Sequence, residues 1–348
     1  MWFENTCYNF TRKKLDAERM INVYPEDNAK NWAISSDTLG RIQTATGHGI
    51  TTTHGHDAFG NKISHQANPT PSTMINWTFP VMTNNRVPAT TSAGAQTWWQ
   101  YSANGEATQI GKAPGGNYIQ FGWDALGLLK TVSDNGNSHE FTYNLSGLRI
   151  RDKRTGINAH DKRYVYTTGG ILMSAYELNS SQQVTSRRDV VYANGEAIAE
   201  IDSNNNIYEL HNNYLGTPRY ITNGNTGQST KGQVVGEQSF GPYGEQMAGT
   251  FNGKTLPSGY RPLTGYTGHL NEDLTGLIYM KGRYYSPLWH RFINSDQGVD
   301  PYSINQYAYV NGRPFMATDP SGMEAKWYRT IVNGETFSQV LLRNYTQK

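Results

Sequence analysis

Two stretches decide the fold: Trp123-Asp124-Ala125-Leu126-Gly127 and, one unit further on, Tyr143-Asn144-Leu145-Ser146-Gly147-Leu148-Arg149. In each, an aromatic residue is followed by Asp or Asn, two residues and Gly. Asp or Asn opens a turn through its side chain, and Gly supplies the positive φ that closes it. Outward from this pair, His56-Asp57-Ala58-Phe59-Gly60 is a further copy, and Ser36-Asp37-Thr38-Leu39-Gly40-Arg41 and Tyr101-Ser102-Ala103-Asn104-Gly105 are weaker ones. A period of about 20 residues separates Gly40 from Gly60 and Gly127 from Gly147, and Gly105 to Gly127 is only slightly longer. That period suits one β-hairpin per unit. The segments between turns alternate, as in Glu140-Phe141-Thr142-Tyr143 and Asn117-Tyr118-Ile119-Gln120-Phe121, the pattern of half-buried strands. Stacked hairpins of this kind make a long sheet stabilised mainly by nearest neighbours.

Composition agrees. The 348 residues include 36 Gly, 32 Asn and 23 Tyr, which favour turns and strands over helices. Aromatics at 12% and a net charge of only +2 exclude a disordered chain and leave no electrostatic footprint for nucleic acid. No run approaches 18 apolar residues, so no membrane span is expected. Cys7 is the single cysteine, which excludes a disulfide framework or a cysteine-based metal site. The opening segment from Met1 to Met20 carries Arg12, Lys13 and Lys14 without an apolar centre, so no secretory signal is expected. The fold class expected is all-β.

The repeats resemble the YD repeats of the Rhs family, which includes insecticidal toxin-complex C components and the teneurins. The C-terminal half carries the resemblance further. His211-Asn212-Asn213-Tyr214-Leu215-Gly216-Thr217-Pro218-Arg219 resembles the family's H-x-D-H-L-G-T-P-R element, with Asn213 and Tyr214 as departures. Phe240-Gly241-Pro242-Tyr243-Gly244-Glu245 follows, then Tyr266-Thr267-Gly268-His269, Thr275-Gly276-Leu277-Ile278-Tyr279-Met280 and Arg283-Tyr284-Tyr285-Ser286-Pro287. Arg291-Phe292-Ile293, Tyr307-Ala308-Tyr309-Val310-Asn311-Gly312-Arg313-Pro314 and Thr318-Asp319-Pro320-Ser321-Gly322 complete a match to the Rhs-associated core.

The resemblance implies YD-repeat hairpins forming a spiralling hollow shell, with the C-terminal core folded inward as a plug. It divides the chain into an N-terminal cap or linker (1–35), a repeat shell (36–207), a core (208–323) and a short C-terminal segment (324–348) that is an effector stub or a retained peptide. A short helix over Lys13–Met20 would suit a cap. At a 20-residue period the repeats would make roughly fifteen hairpins, fewer than the family's toxin-enclosing shells have. A second copy or a partner shell subunit is therefore expected beside the chain's own enclosed C-terminal segment. The implied life cycle starts in the bacterial cytoplasm and passes through delivery machinery, by a route independent of a signal peptide.

By the same resemblance the core cuts its own chain, with Asp296 and Asp319 as the catalytic pair and Met323–Glu324 as the bond. The residues support the local geometry: Asp319-Pro320-Ser321-Gly322 suits a type I turn, with Pro320 second and Gly322 fourth, which brings the next peptide bond near the Asp319 carboxylate. Two such carboxylates would share a proton. The sequence departs from the cleaving pattern at Ser295, where an Arg is common, at Gln297, which replaces a Pro, and at Met323, which replaces a Leu. Asp300-Pro301 is a rival first aspartate, but it stands nearer to Asp319 along the chain than Asp296 does. The alternative reading is a YD module that binds glycan or protein without cutting, or a fragment that folds only with a partner. No cofactor and no enzyme with an external substrate are expected. His48, His54 and His56 lie within nine residues, but read as polar turn-flanking residues, so no metal is expected. Trp98-Trp99-Gln100-Tyr101 reads as core packing.

Overall fold

The computed structural model describes residues 32–71, 74–79, 82–87, 89–92, 95–111, 118–247, 262–271, 276–296 and 305–327, with strand pieces at 20–21, 331–332 and 335–336. The expected Lys13–Met20 helix lies outside these except for Met20, which is in a strand. The described residues form one 20-stranded sheet and three small ones. Every pairing in the large sheet is antiparallel and joins strands consecutive in the chain, from Met20–Ile21 to Val234–Glu237. The strip therefore runs past residue 207, and His211–Arg219 is one more of its hairpins. Twenty strands amount to about ten hairpins, fewer than the period suggested, because the chain beyond Glu237 stops following it.

Two kinds of turn build the strip. In one kind, Asp124 accepts the Leu126 and Leu128 amides through Oδ1 (both 2.9 Å), and the backbone closes from Gly127 N to Asp124 O. Asp37, Asp57, Asn144, Asn179, Asp202 and Asn213 repeat this arrangement. Most of these turns shift the ladder by one residue, as at Thr142/Tyr143, the mark of a type I turn with a glycine bulge. In the other kind the turn has two residues: His48-Gly49, Asn135-Gly136 and Asn194-Gly195, all at positive φ, the I′ geometry that matches strand twist.

The inner face is apolar and aromatic, and the C-terminal core packs on it. Trp77, Trp99, Phe121, Leu129, Val132 and Phe141 form one cluster with the core's Tyr279, Tyr284, Trp289 and Ile293. Trp99 thus packs in the core, as expected. Contacts to the plug recur along the strip: Asn305 Nδ2 donates to Asn61 Oδ1 (2.7 Å), Trp77 Nε1 to the Leu288 carbonyl (3.1 Å), and Ala107 N to Ile293 O (2.8 Å). Farther on, Arg149 N donates to Tyr279 Oη (2.8 Å) and Tyr214 Oη to the Phe315 carbonyl (2.8 Å). A strip that meets one plug from residue 61 to residue 214 has to curl around it. No helix among the described residues is long and apolar enough to cross a membrane.

Candidate functional site

The chain reaches the Asp319 turn from the strand Ala317–Thr318 and leaves it toward Lys326–Trp327, which pairs back on that strand. The Met323–Glu324 bond lies in the connection, with Met323 half-buried and Glu324 exposed. Gly322 N approaches Asp319 O at 3.4 Å, and Gly282 N donates to the Ser321 carbonyl at 2.9 Å. Asp319 Oδ1 accepts both following amides, Met323 N at 3.0 Å and Glu324 N at 3.1 Å. The second of these is the nitrogen of the Met323–Glu324 bond. Gly322 is at φ +70°, and a Cβ there would stand 2.0 Å from the Met280 carbonyl oxygen. Only glycine fits this seat.

Asp296 reaches the same place through Arg283. One nitrogen, Nη2, lies 3.0 Å from Asp319 Oδ2 and 3.1 Å from Asp296 Oδ2. Arg283 also donates through Nη1 to the Gln306 carbonyl (3.0 Å) and through Nε to the Gly322 carbonyl. Its guanidinium carbon lies 3.7 Å from the centre of the Phe292 ring. One planar cation thus ties both aspartates to the backbone just ahead of the Met323 carbonyl, which is the geometry in which Arg and Lys are not interchangeable. What lies between the carboxylates is the Arg283 guanidinium. The cation thought missing at Ser295 is supplied by Arg283, while Ser295 Oγ donates to the Asn104 carbonyl (2.9 Å) and pins Asp296 beside a strip turn. Gln297, Gly298 and Asp300 lie outside the described residues.

Sequence reasoning passed over Arg283, although a signal was there. It is followed by Tyr284-Tyr285 in a strand buried at every position, and a buried charge needs partners. The histidines also group differently. His48 lies against Trp32 at a tilt, with ring centres 5.3 Å apart, while His54 meets His65 and His290. His56 has its pKa pushed down to about 3, by burial first and then by the charges of Lys62 and Arg41.

No protein-family model matches the chain. It is 27% identical over 238 residues to the tRNA3(Ser)-specific nuclease WapA of Bacillus spizizenii, a match covering 67% of this chain and 9% of that protein. It is also 27% identical over 220 residues to the Double-stranded DNA deaminase toxin A of Burkholderia cenocepacia, covering 60% of this chain and 14% of the relative. Among solved structures, that of TcdB2-TccC3-TEV superposes with a TM-score of 0.62 at 21% identity, over 84% of this chain and 15% of that one. The chain spans about a tenth to a fifth of the length of the curated relatives it matches. It shares the all-β fold of the matching part of TcdB2-TccC3, and its sequence relatives include a tRNA-specific nuclease and a DNA deaminase toxin.

Proposed function

We propose that this chain is the terminal part of a toxin-enclosing β shell whose core cuts the chain once, between Met323 and Glu324. The observation that carries this reading is the Glu324 amide held on Asp319 Oδ1 at 3.1 Å, with Asp296 on the same guanidinium. A water attacks the Met323 carbonyl carbon, and Asp296, the less covered of the two aspartates, takes its proton. The C–N bond breaks as the proton that Asp296 took from the water is passed on to the Glu324 nitrogen, which Asp319 holds in place, leaving a carboxylate on Met323 and an amine on Glu324. Arg283 fixes the Gly322 carbonyl and both aspartates before the reaction, so little reorganisation is left for the transition state. A single turnover relaxes the demand: about 10⁻³ s⁻¹, a barrier of about 21 kcal/mol, suffices.

The C-terminal segment 324–348 is the enclosed product, and the remaining wall is completed by a second copy or a partner shell subunit. Assembly in the bacterial cytoplasm and signal-peptide-independent delivery belong to the same proposal. The test is the intact mass of freshly purified protein beside Asp296→Asn and Asp319→Asn, kept from acid and heat because Asp300–Pro301 and Asp319–Pro320 are acid-labile. Loss of residues 324–348 in the wild type and in neither variant is expected. A wild type that stays whole for days while folded would instead make the chain a non-cleaving container or binding module.

A further inference from the structure

We propose that His54, His65, His290 and Glu245 form a buried site for a divalent transition-metal ion of the zinc type, which clamps the strip to the plug. The four side chains come from four places: His54 from the strand Ile50–His56, His65 from Lys62–Asn68, Glu245 from the turn after Phe240, and His290 from just before Arg291–Phe292. They are 4%, 1%, 3% and 3% exposed. One ring nitrogen from each histidine lies within 4.8 Å of the others. Ring centres are 5.2 Å apart for His54–His65, 4.6 Å for His65–His290 and 5.9 Å for His54–His290. Tetrahedral coordination with metal–nitrogen bonds of about 2.0–2.1 Å would set imidazole centres about 5 Å apart. The rings already stand at that spacing.

The donor atoms are turned to the right side. The Thr52 hydroxyl donates its one proton to the Ala45 carbonyl (3.3 Å), so its contact with His54 Nε2 at 2.9 Å has the ring as donor. That fixes the proton on Nε2 and leaves the Nδ1 lone pair facing His65 Nδ1 at 3.5 Å, the outer-shell arrangement that orients histidine ligands. Glu245 Oε2 accepts the Tyr243 amide (2.8 Å), which leaves Oε1 as its coordinating atom. Oε1 lies 2.5 Å from His290 Nε2 without hydrogen-bond direction, and neither Oε1, either ring nitrogen of His290, nor His65 Nε2 makes a hydrogen bond. Buried polar atoms are rarely left so. Beside them lies a cavity of about 20 Å³ lined by His56, Lys62, Tyr243 and His290, room for about one water or ion.

Metal ligands must be unprotonated, which the burial of all three rings favours. One cation already faces the group. Lys62 Nζ donates to His54 Nδ1 at 2.6 Å and lies 3.3 Å from the centre of the Tyr243 ring. It meets one of the four donors, and its flexible stem lets it turn away when an ion enters. Imidazoles with one carboxylate suit zinc and its neighbours, not calcium or magnesium.

The test uses the full chain, stripped with chelator and dialysed against zinc sulfate, with metal content measured by plasma mass spectrometry. About one zinc per chain is expected, and cobalt(II) should give the intense visible absorption of a tetrahedral site. His65→Ala and His290→Ala should lose more than the about 10–100-fold in affinity that outer-shell changes cost, and Thr52→Val should lose about 10-fold. His211→Ala, at an exposed strand position, should bind normally, and Lys62→Met should bind at least as tightly as the wild type. Should a histidine variant fail to fold, the cobalt spectrum of the wild type still decides. A wild type that takes up less than a tenth of an equivalent, or metal uptake indifferent to His65 and His290, overturns the proposal and leaves Lys62 as the cluster's own cation.

Discussion

The strip and the plug are held together by different rules. In the strip, Asp124 finds its hydrogen-bond partners two and four residues away, and each strand pairs with its sequence neighbour. In the plug, the partners of Arg283 are the Gly322 and Gln306 carbonyls, Asp319 and Asp296. No local pattern dictates that convergence. A strip unit is one of many similar units and its loss is felt mainly by its neighbours. A plug residue such as Arg283 has no duplicate. The difference teaches where function can be built: precise placement of two aspartates and a peptide bond needs the non-repeating part, while the repeating part supplies the wall.

The comparison is broken most directly at Arg283. Arg283→Met leaves two covered carboxylates facing each other without their cation, and a loss of about 3–5 kcal/mol is expected in urea unfolding. Arg283→Lys should recover only part, because one ammonium cannot hold two carbonyls and two carboxylates at once. Should the Met variant cost no more than a strip-turn change, plug and strip would be equally redundant. Next comes a pair within one region of the strip. Leu129 is fully buried on the inner face, whereas Leu126, three residues before it, is 74% exposed at the turn. Leu129→Ala should cost about 3 kcal/mol, and Leu126→Ala less than about 0.5. Similar losses at both would mean that the turn edge is covered.

Asp152 sharpens the contrast through pH. Burial by itself would raise its pKa, but the close contacts of His139 (2.6 Å) and His160 (3.4 Å) and the charge of Arg149 outweigh that and hold it far below the usual carboxylate range. A depressed folded-state pKa contributes stability that is present above the unfolded value of about 4 and is lost as pH falls below it. The urea midpoint of the wild type should therefore drop on acidification from about pH 6 to about pH 3. Asp152→Asn should be less stable at the upper pH and show a flatter dependence. An unchanged slope would place the acid sensitivity in other carboxylates.

What could be read from the residues follows the same division. The Asp-x-x-Gly turns and the alternation between them depend on interactions within five residues, so the all-β fold was visible in Asp124–Gly127 and Asn144–Gly147. The two-residue turns at Asn135-Gly136 and Asn194-Gly195 carry an equally local signal that the longer repeat overshadowed. The Asp319 turn was legible for the same reason, down to the amides its carboxylate holds. Arg283 was not, because it stands 36 residues from Asp319 and needs the folded plug to reach it. His54, His65 and His290 are a stronger case: His54 and His65 meet by strand pairing, but His290 arrives from the far end of the chain. Spacing pointed to His48 and His56 as the partners of His54, and tertiary structure chose others.

The smallest effect tests whether the strip's redundancy is real. Asp124→Ala removes two short hydrogen bonds, to the Leu126 and Leu128 amides. Both lie at the turn edge where water can replace the carboxylate, so about 1 kcal/mol is expected. Asn144→Ala, one unit on, removes the same pair from the Ser146 and Leu148 amides and should cost about the same. The two turns are stacked: a Cβ on Gly147 would lie 4.0 Å from Leu128 Cδ2. In a nearest-neighbour strip the double variant should therefore lose more or less than the sum of the singles by about 0.5 kcal/mol or more. Asp124→Ala combined with Asp202→Ala, several strands away, should be additive. Coupling over that distance would mean that the plug, and not the neighbouring hairpin, transmits the loss, and the strip would then fold as one body with the core.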